Sequence, residues 1–103
     1  HELEAVINYT FRRAGGSGPG YATIVGAGDN ATILHYIENR CAITDGDLVL
    51  VDAGCEYDHY TADVTRTWPA NGRFPPAQRG VYEHGLATQL AAIDMALSNP
   101  LSR

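Results

Sequence analysis

Two carboxylates, Asp52 and Asp63, stand eleven positions apart in the run LVLVDAGCEYDHYTADVTRTWP. Each follows or precedes residues that favour buried strands, so each puts a charge where its neighbours ask for burial. With Tyr57-Asp58 at the tip of a hairpin, residues whose numbers sum to 115 face one another, and Asp52 is set opposite Asp63. Direct cross-strand neighbours have Cβ atoms about 4.5 to 5.5 Å apart. Like charges at that distance persist when one carboxyl keeps its proton or a cation lies between them. Hard oxygen donors favour Mg, Mn or Ca, and a bridging carboxylate pair suits two ions about 3.5 to 4 Å apart that activate a water. The plainer reading stays equally open: Asp52 begins a turn at Ala53-Gly54, and Asp63 pairs with Arg66 or with solvent. A bulge would also shift the register, because Tyr-Asp is not a favoured two-residue turn.

The stretch ATIVGAGDNA, Ala22 to Ala31, has the spelling of a dinucleotide-binding loop. Such a loop must open a helix whose N-terminus holds the pyrophosphate. Here the glycines lead into ATILHYI, which reads as a strand, so nucleotide binding is set aside and no cofactor-binding residue is assigned. Gly26, Gly28, Asp29 and Asn30 read instead as a tight hairpin connection. His35 lies on the strand that follows; a lone His on an apolar strand is more often structural than catalytic. Glu83 and His84 are adjacent on a helical segment and point about 100° apart, so they read as solvated rather than as joint ligands. Cys41 and Cys55 lack the close pairing of a thiolate metal site and read as reduced, partly buried thiols.

These residues need elements to hold them. From Glu2 to Ala14 the apolar positions Leu3, Val6, Ile7 and Phe11, with the Thr10 methyl, follow helical spacing and predict a helix with one buried face, ended by Gly15 and Gly16. GGSGPG, Gly15 to Gly20, is a turn-rich connector, and Tyr21 to Val25 predicts a strand. Ala31 to Ile37 predicts another, and Asp45-Gly46 a turn. Leu48 to Val51 predicts a strand covered on both faces. Thr61 to Trp68 follows the polar tip Asp58-His59 and returns as the second arm of an antiparallel hairpin. Pro75 and Pro76 suit a first helical turn; Val81, Tyr82, Leu86, Leu90, Ile93 and Leu97 then recur at threes and fours until Asn99-Pro100 stops them. The class is α+β.

Composition narrows the function. The chain has 103 residues, 45% apolar and 18% charged, which suits one folded domain. All its basic residues are Arg, set among more carboxylates for a net charge of −5, the wrong sign for nucleic acid. No apolar stretch approaches the roughly 20 residues of a membrane span, so no membrane role is expected. The chain opens on His1 and its only Met is Met95, which suggests a segment of something longer.

Tyr21 to Phe74, with TIVGAGDNATILHY, DGDLVLVDAGCEY and YTADVTRTWPANGRF, resembles the Xaa-Pro aminopeptidase and prolidase branch of the pita-bread metallopeptidases. With the flanking helices the resemblance covers nearly the whole chain. It implies half of a pita-bread fold: residues 1–103 as the first half of a catalytic domain, an antiparallel sheet with two amphipathic helices. It implies two divalent metal ions, manganese in this branch, with Asp52 and Asp63 as two of five ligands. His35, in the HY motif, is implied to act at the substrate near the scissile bond before proline. The remaining His and two Glu ligands belong to the second half of such a domain, so this segment alone is expected to be inactive, and two copies are candidates to pair as a homo-oligomer. The substrate implied is a peptide with proline second, in the cytoplasm. Thr65, two positions beyond Asp63, is a candidate to support it. A noncatalytic pita-bread relative acting as a binding module and a methionine aminopeptidase are the rival readings; DAGCEY, TRTWP and the HY motif favour the proline branch.

Overall fold

A computed structural model describes residues 1–98 and divides the chain into two units, residues 1–73 and a unit that begins at Phe74. Helix α1, Glu2–Arg13, has Glu2 and Glu4 in its first turn and Arg12 and Arg13 in its last, each matching the sign of the helix dipole. It ends where expected. Gly15 takes φ 96°, the Gly16 amide donates to Phe11 O at 3.0 Å and the Gly15 amide to Arg12 O at 3.1 Å, a paired C-terminal cap that a side chain at Gly15 would strain. The apolar stripe is covered less than predicted: Leu3 and Val6 are exposed, while Ile7 and Phe11 are half-buried.

Two three-stranded antiparallel sheets follow. Strands β1 (Gly18–Pro19), β4 (Cys55–Tyr57) and β5 (Tyr60–Thr61) form one in the order β1-β4-β5; β2 (Ile24–Ala27), β3 (Leu48–Ala53) and β6 (Val64–Pro69) form the other in the order β2-β3-β6. The Gly15–Gly20 connector thus contains a short strand, and the strand expected over Tyr21–Val25 starts three residues later. Ile24, Val25, Val49 and Tyr36 make the core. β3 is central but only Val49 is buried along it, so it is half-covered rather than sealed on both faces.

The hairpin and strand expected around Ala31–Ile37 are not formed. Gly28–Thr32 is a 3-10 turn, with the Thr32 hydroxyl donating to Asp29 O at 2.7 Å, and β2 pairs with β3 instead. The turn folds back so closely over β2 that a Cβ on Gly26 would lie 2.9 Å from Ala31 Cα and from Asn30 O. His35 and Asn39 both take left-handed φ, 56° and 48°, which breaks any extended run. The free edge of β2 is occupied by a side chain. Asn39, almost fully buried, accepts from the Val25 amide at 2.8 Å and donates to Thr23 O at 2.7 Å, in place of a strand's backbone.

The hairpin's register also differs from the predicted one. Asp58 and His59 take φ 48° and 69°, the paired left-handed residues of a two-residue hairpin turn, and Glu56↔Thr61 and Tyr57↔Tyr60 follow from them. Throughout this ribbon facing residues sum to 117, so Asp52 is opposite Thr65, not Asp63. The ribbon crosses from one sheet to the other between Gly54 and Ala62. There the two backbones nearly touch: a Cβ on Gly54 would fall 1.6 Å from the Ala62 carbonyl oxygen.

The second unit, taken by itself, holds helix α2, Pro76–Ser98. Pro76 opens it as predicted, and the Phe74 and Tyr82 rings meet with centroids 4.6 Å apart. Glu83 pairs with Arg79 at 3.7 Å on an exposed face, and His84 is exposed. The expected stop at Asn99-Pro100 lies outside the described residues.

Candidate metal and substrate site

The two-residue shift in register leaves the carboxylates on one face. Side chains alternate along a strand, so an even shift preserves the face and an odd one would have separated them. Asp52 lies near the end of β3, opposite Thr65, and Asp63 precedes β6 at the crossing. Asp52 is half-buried and Asp63 exposed. Thr65 therefore neighbours Asp52 across the ladder, where spacing had associated it with Asp63.

The residue that sequence reasoning missed is Tyr21. Its hydroxyl donates to Asp52 Oδ1 at 2.5 Å and lies 3.1 Å from Asp63 Oδ1. A phenol has one proton, so it serves the carboxylates one at a time. Burial first, then hydrogen bonds to Asp52 and Asp63 and their negative charge, push the Tyr21 hydroxyl far above its ordinary range. It stays a donor. Tyr21 sits in a bend before β2 and carries no motif signal of its own; only folding brings it beside residues 31 and 42 positions away.

Tyr21, His35, Asp52 and Asp63 line one cavity of about 430 Å³, with Ala22, Ile24 and Ile37 as its apolar wall. His35 reaches it from an exposed turn and not from the strand that was expected, and its left-handed backbone is a conformation non-glycine residues seldom adopt. A turn beginning at Asp52, with Asp63 paired to Arg66, does not describe this arrangement: β3 continues to Ala53, and Arg66 donates to Thr65 O. Two carboxylates that converge on one hydroxyl offer hard oxygen donors suited to a divalent cation of the Mg, Mn or Ca type. The described residues bring no third His, Cys, Asp or Glu into a common ligand group with them.

The loop Gly26–Ala31 opens a five-residue 3-10 turn in place of an α-helix, so it lacks the helix N-terminus that a pyrophosphate requires. Both cysteines are free; Cys41 is exposed, contrary to the expectation of partial burial, and Cys55 is half-buried.

Comparison with known proteins agrees with the motifs. The model of metallopeptidase family M24 matches residues 1–100. The chain belongs to metallopeptidase family M24. This M24 chain is 55% identical over 83 residues to the Xaa-Pro aminopeptidase of Escherichia coli (strain K12), covering 81% of this chain and 19% of that one. The structure of Pseudomonas aeruginosa aminopeptidase PepP superposes with a TM-score of 0.88 at 57% identity, over 90% of this chain and 21% of that one. The M24 chain thus spans about a fifth of the length of these relatives. Two structures of Escherichia coli aminopeptidase P carry an aspartate replaced by alanine, at positions eleven apart in that protein, the interval between Asp52 and Asp63.

Proposed function

We propose that this chain is part of a dinuclear-metal aminopeptidase that removes the residue preceding a proline, and that residues 1–103 form the first half of its catalytic domain. The observation that carries the reading is the convergence of Asp52 and Asp63 beside His35 in one cavity of an M24 chain. Identity of 55% to an Xaa-Pro aminopeptidase supports the choice of reaction and of a peptide with proline second as substrate.

Asp52 and Asp63 would hold the cations, for which manganese is the proposed identity, through carboxylate oxygens. When bound, such ions supply Lewis acidity toward a water and toward the carbonyl of the scissile bond. His35, exposed in the structure, would help to hold the substrate and to handle a proton around the scissile bond before proline. Ala22, Ile24 and Ile37 give the cavity an apolar surface suited to a pyrrolidine ring. The cytoplasm is the proposed setting. Two free cysteines support it, since reducing compartments keep thiols unpaired. No helix among the described residues is long and apolar enough to cross a membrane.

The test uses the longest natural protein that carries this segment. Asp63→Asn is expected to abolish manganese binding by calorimetry and to lower kcat/KM for a proline-second peptide by at least about a thousandfold, roughly 4 kcal/mol of transition-state stabilisation. Wild-type metal content and turnover in that variant would refute the assignment. Cleavage of an alanine-second peptide as readily as the proline-second one would refute the specificity.

A further inference from the structure

The segment between the 3-10 turn and β3 carries His35 and forms no strand of its own. Of residues 33–46 only Tyr36 and Asn39 are buried; the rest, His35 included, are exposed. The segment is thus anchored at two points. Burial of the Tyr36 ring resists its withdrawal, but apolar contact is non-directional and does not set the path of the backbone on either side. His35 nevertheless holds φ 56°, a conformation that persists in a non-glycine residue only where the surroundings fix it. That constraint has to come from a directional contact.

Asn39, four residues beyond His35, makes one. It is 2% exposed, its side-chain oxygen accepts from the Val25 amide at 2.8 Å, and its side-chain nitrogen donates to Thr23 O at 2.7 Å. With a donor facing one end of the amide and an acceptor facing the other, the group has a single orientation that satisfies both. Thr23 and Val25 flank Ile24, which pairs with Asp52 across the ladder and lines the cavity that holds His35, Asp52 and Asp63. The segment bearing His35 is therefore registered on the rung that carries Asp52.

We propose that Asn39 is a positioning residue for His35: by clamping the backbone of Thr23 and Val25 it fixes the segment so that His35 stands at the cavity, where it meets the substrate. This rests on the reading of His35 as a group that acts at the substrate. Asn39 itself touches no part of the cavity that receives the peptide, so its whole effect on turnover passes through His35.

The experiment is a double-mutant cycle in the full-length protein: Asn39→Ala, His35→Ala and the two together, with kcat/KM measured on a proline-second peptide and manganese binding by calorimetry. Asn39→Ala is expected to lower kcat/KM at least about tenfold, since small misplacements of a reacting group carry losses of that order. Manganese affinity is expected to stay within about twofold of the parent, and the double variant within about twofold of His35→Ala, the margin within which independent effects are resolved. A residue that only supported the fold would multiply its loss onto that of His35→Ala. Multiplied losses, a fall in manganese affinity matching the fall in activity, or parental kcat/KM in Asn39→Ala each overturn the role of Asn39. Parental kcat/KM in His35→Ala overturns instead the reading of His35 beneath it. Should Asn39→Ala not fold, a crystal structure of the full-length parent with a bound proline-second peptide decides. Asn39 on Val25 N and Thr23 O with His35 at the peptide is the expected result; His35 at the peptide with Asn39 released from Thr23 and Val25 overturns the proposal, and His35 away from the peptide overturns the reading on which it rests.

Discussion

At the scale of single residues, chemistry was legible where a charge interrupts a strand and illegible where contact is long-range. Asp52 and Asp63 announced themselves by standing at the ends of β-rich runs. Tyr21 did not, because a tyrosine before a strand is an ordinary residue until the fold puts Asp52 beside it. Asn39 was missed for the same reason: its burial and its two backbone bonds arise from a segment more than ten residues away. Cys41 offers a separate test. The polar groups of Tyr36, then of Asn30, draw its thiol below the ordinary cysteine range, with neighbouring Arg40 acting in the same direction. A lowered value puts more thiolate at neutral pH. Cys41, exposed in the structure, should therefore alkylate with iodoacetamide faster than half-buried Cys55, and its rate should level off at a lower pH than that of a free cysteine. Mass spectrometry of the labelled peptides checks this; equal rates for the two cysteines would contradict it.

At the scale of elements, the helices and the β3–β6 hairpin followed from periodicity and turn residues, while the segment after Gly28 did not. Ile33, Leu34 and Ile37 are β-formers that end exposed on a loop, since strand propensity counts only where a partner edge is open, and Asn39 occupies that edge. Register failed by two positions because the left-handed pair at the tip is Asp58-His59, one residue later than assumed; moving a hairpin tip by one residue moves its partners by two. The face survived that error. The crossing at Gly54 is the element on which the site most depends. Gly54→Ala would drive a methyl into the Ala62 carbonyl and against the Tyr21 ring. Its expected cost is about 3 kcal/mol, read as a fall in the denaturant midpoint of the full-length protein, with a loss of manganese affinity beyond that of an equally destabilised core variant. Stability within about 0.5 kcal/mol of the parent would show that the crossing is not tight.

At the scale of the molecule, all four side chains of the candidate site lie within residues 1–73, one of the two units. The site is nevertheless short of ligands. A hard divalent cation takes six or more oxygens, and Asp52 and Asp63 supply carboxylates alone. The isolated 103-residue chain is accordingly expected to bind manganese weakly and to leave a proline-second peptide uncut; turnover by the isolated chain at the rate of the full-length protein would refute the half-domain proposal. Pairing of two copies as a homo-oligomer is tested by light scattering of the same sample, where a clean monomer at high concentration would refute it.

The amide of Asn39 bears on the company the chain keeps as well as on its shape. β2 is the outer strand of its sheet, and an uncovered outer strand is a template on which another chain can add a strand. By filling the Val25 and Thr23 positions with one side chain, the protein closes that part of the edge to an added strand.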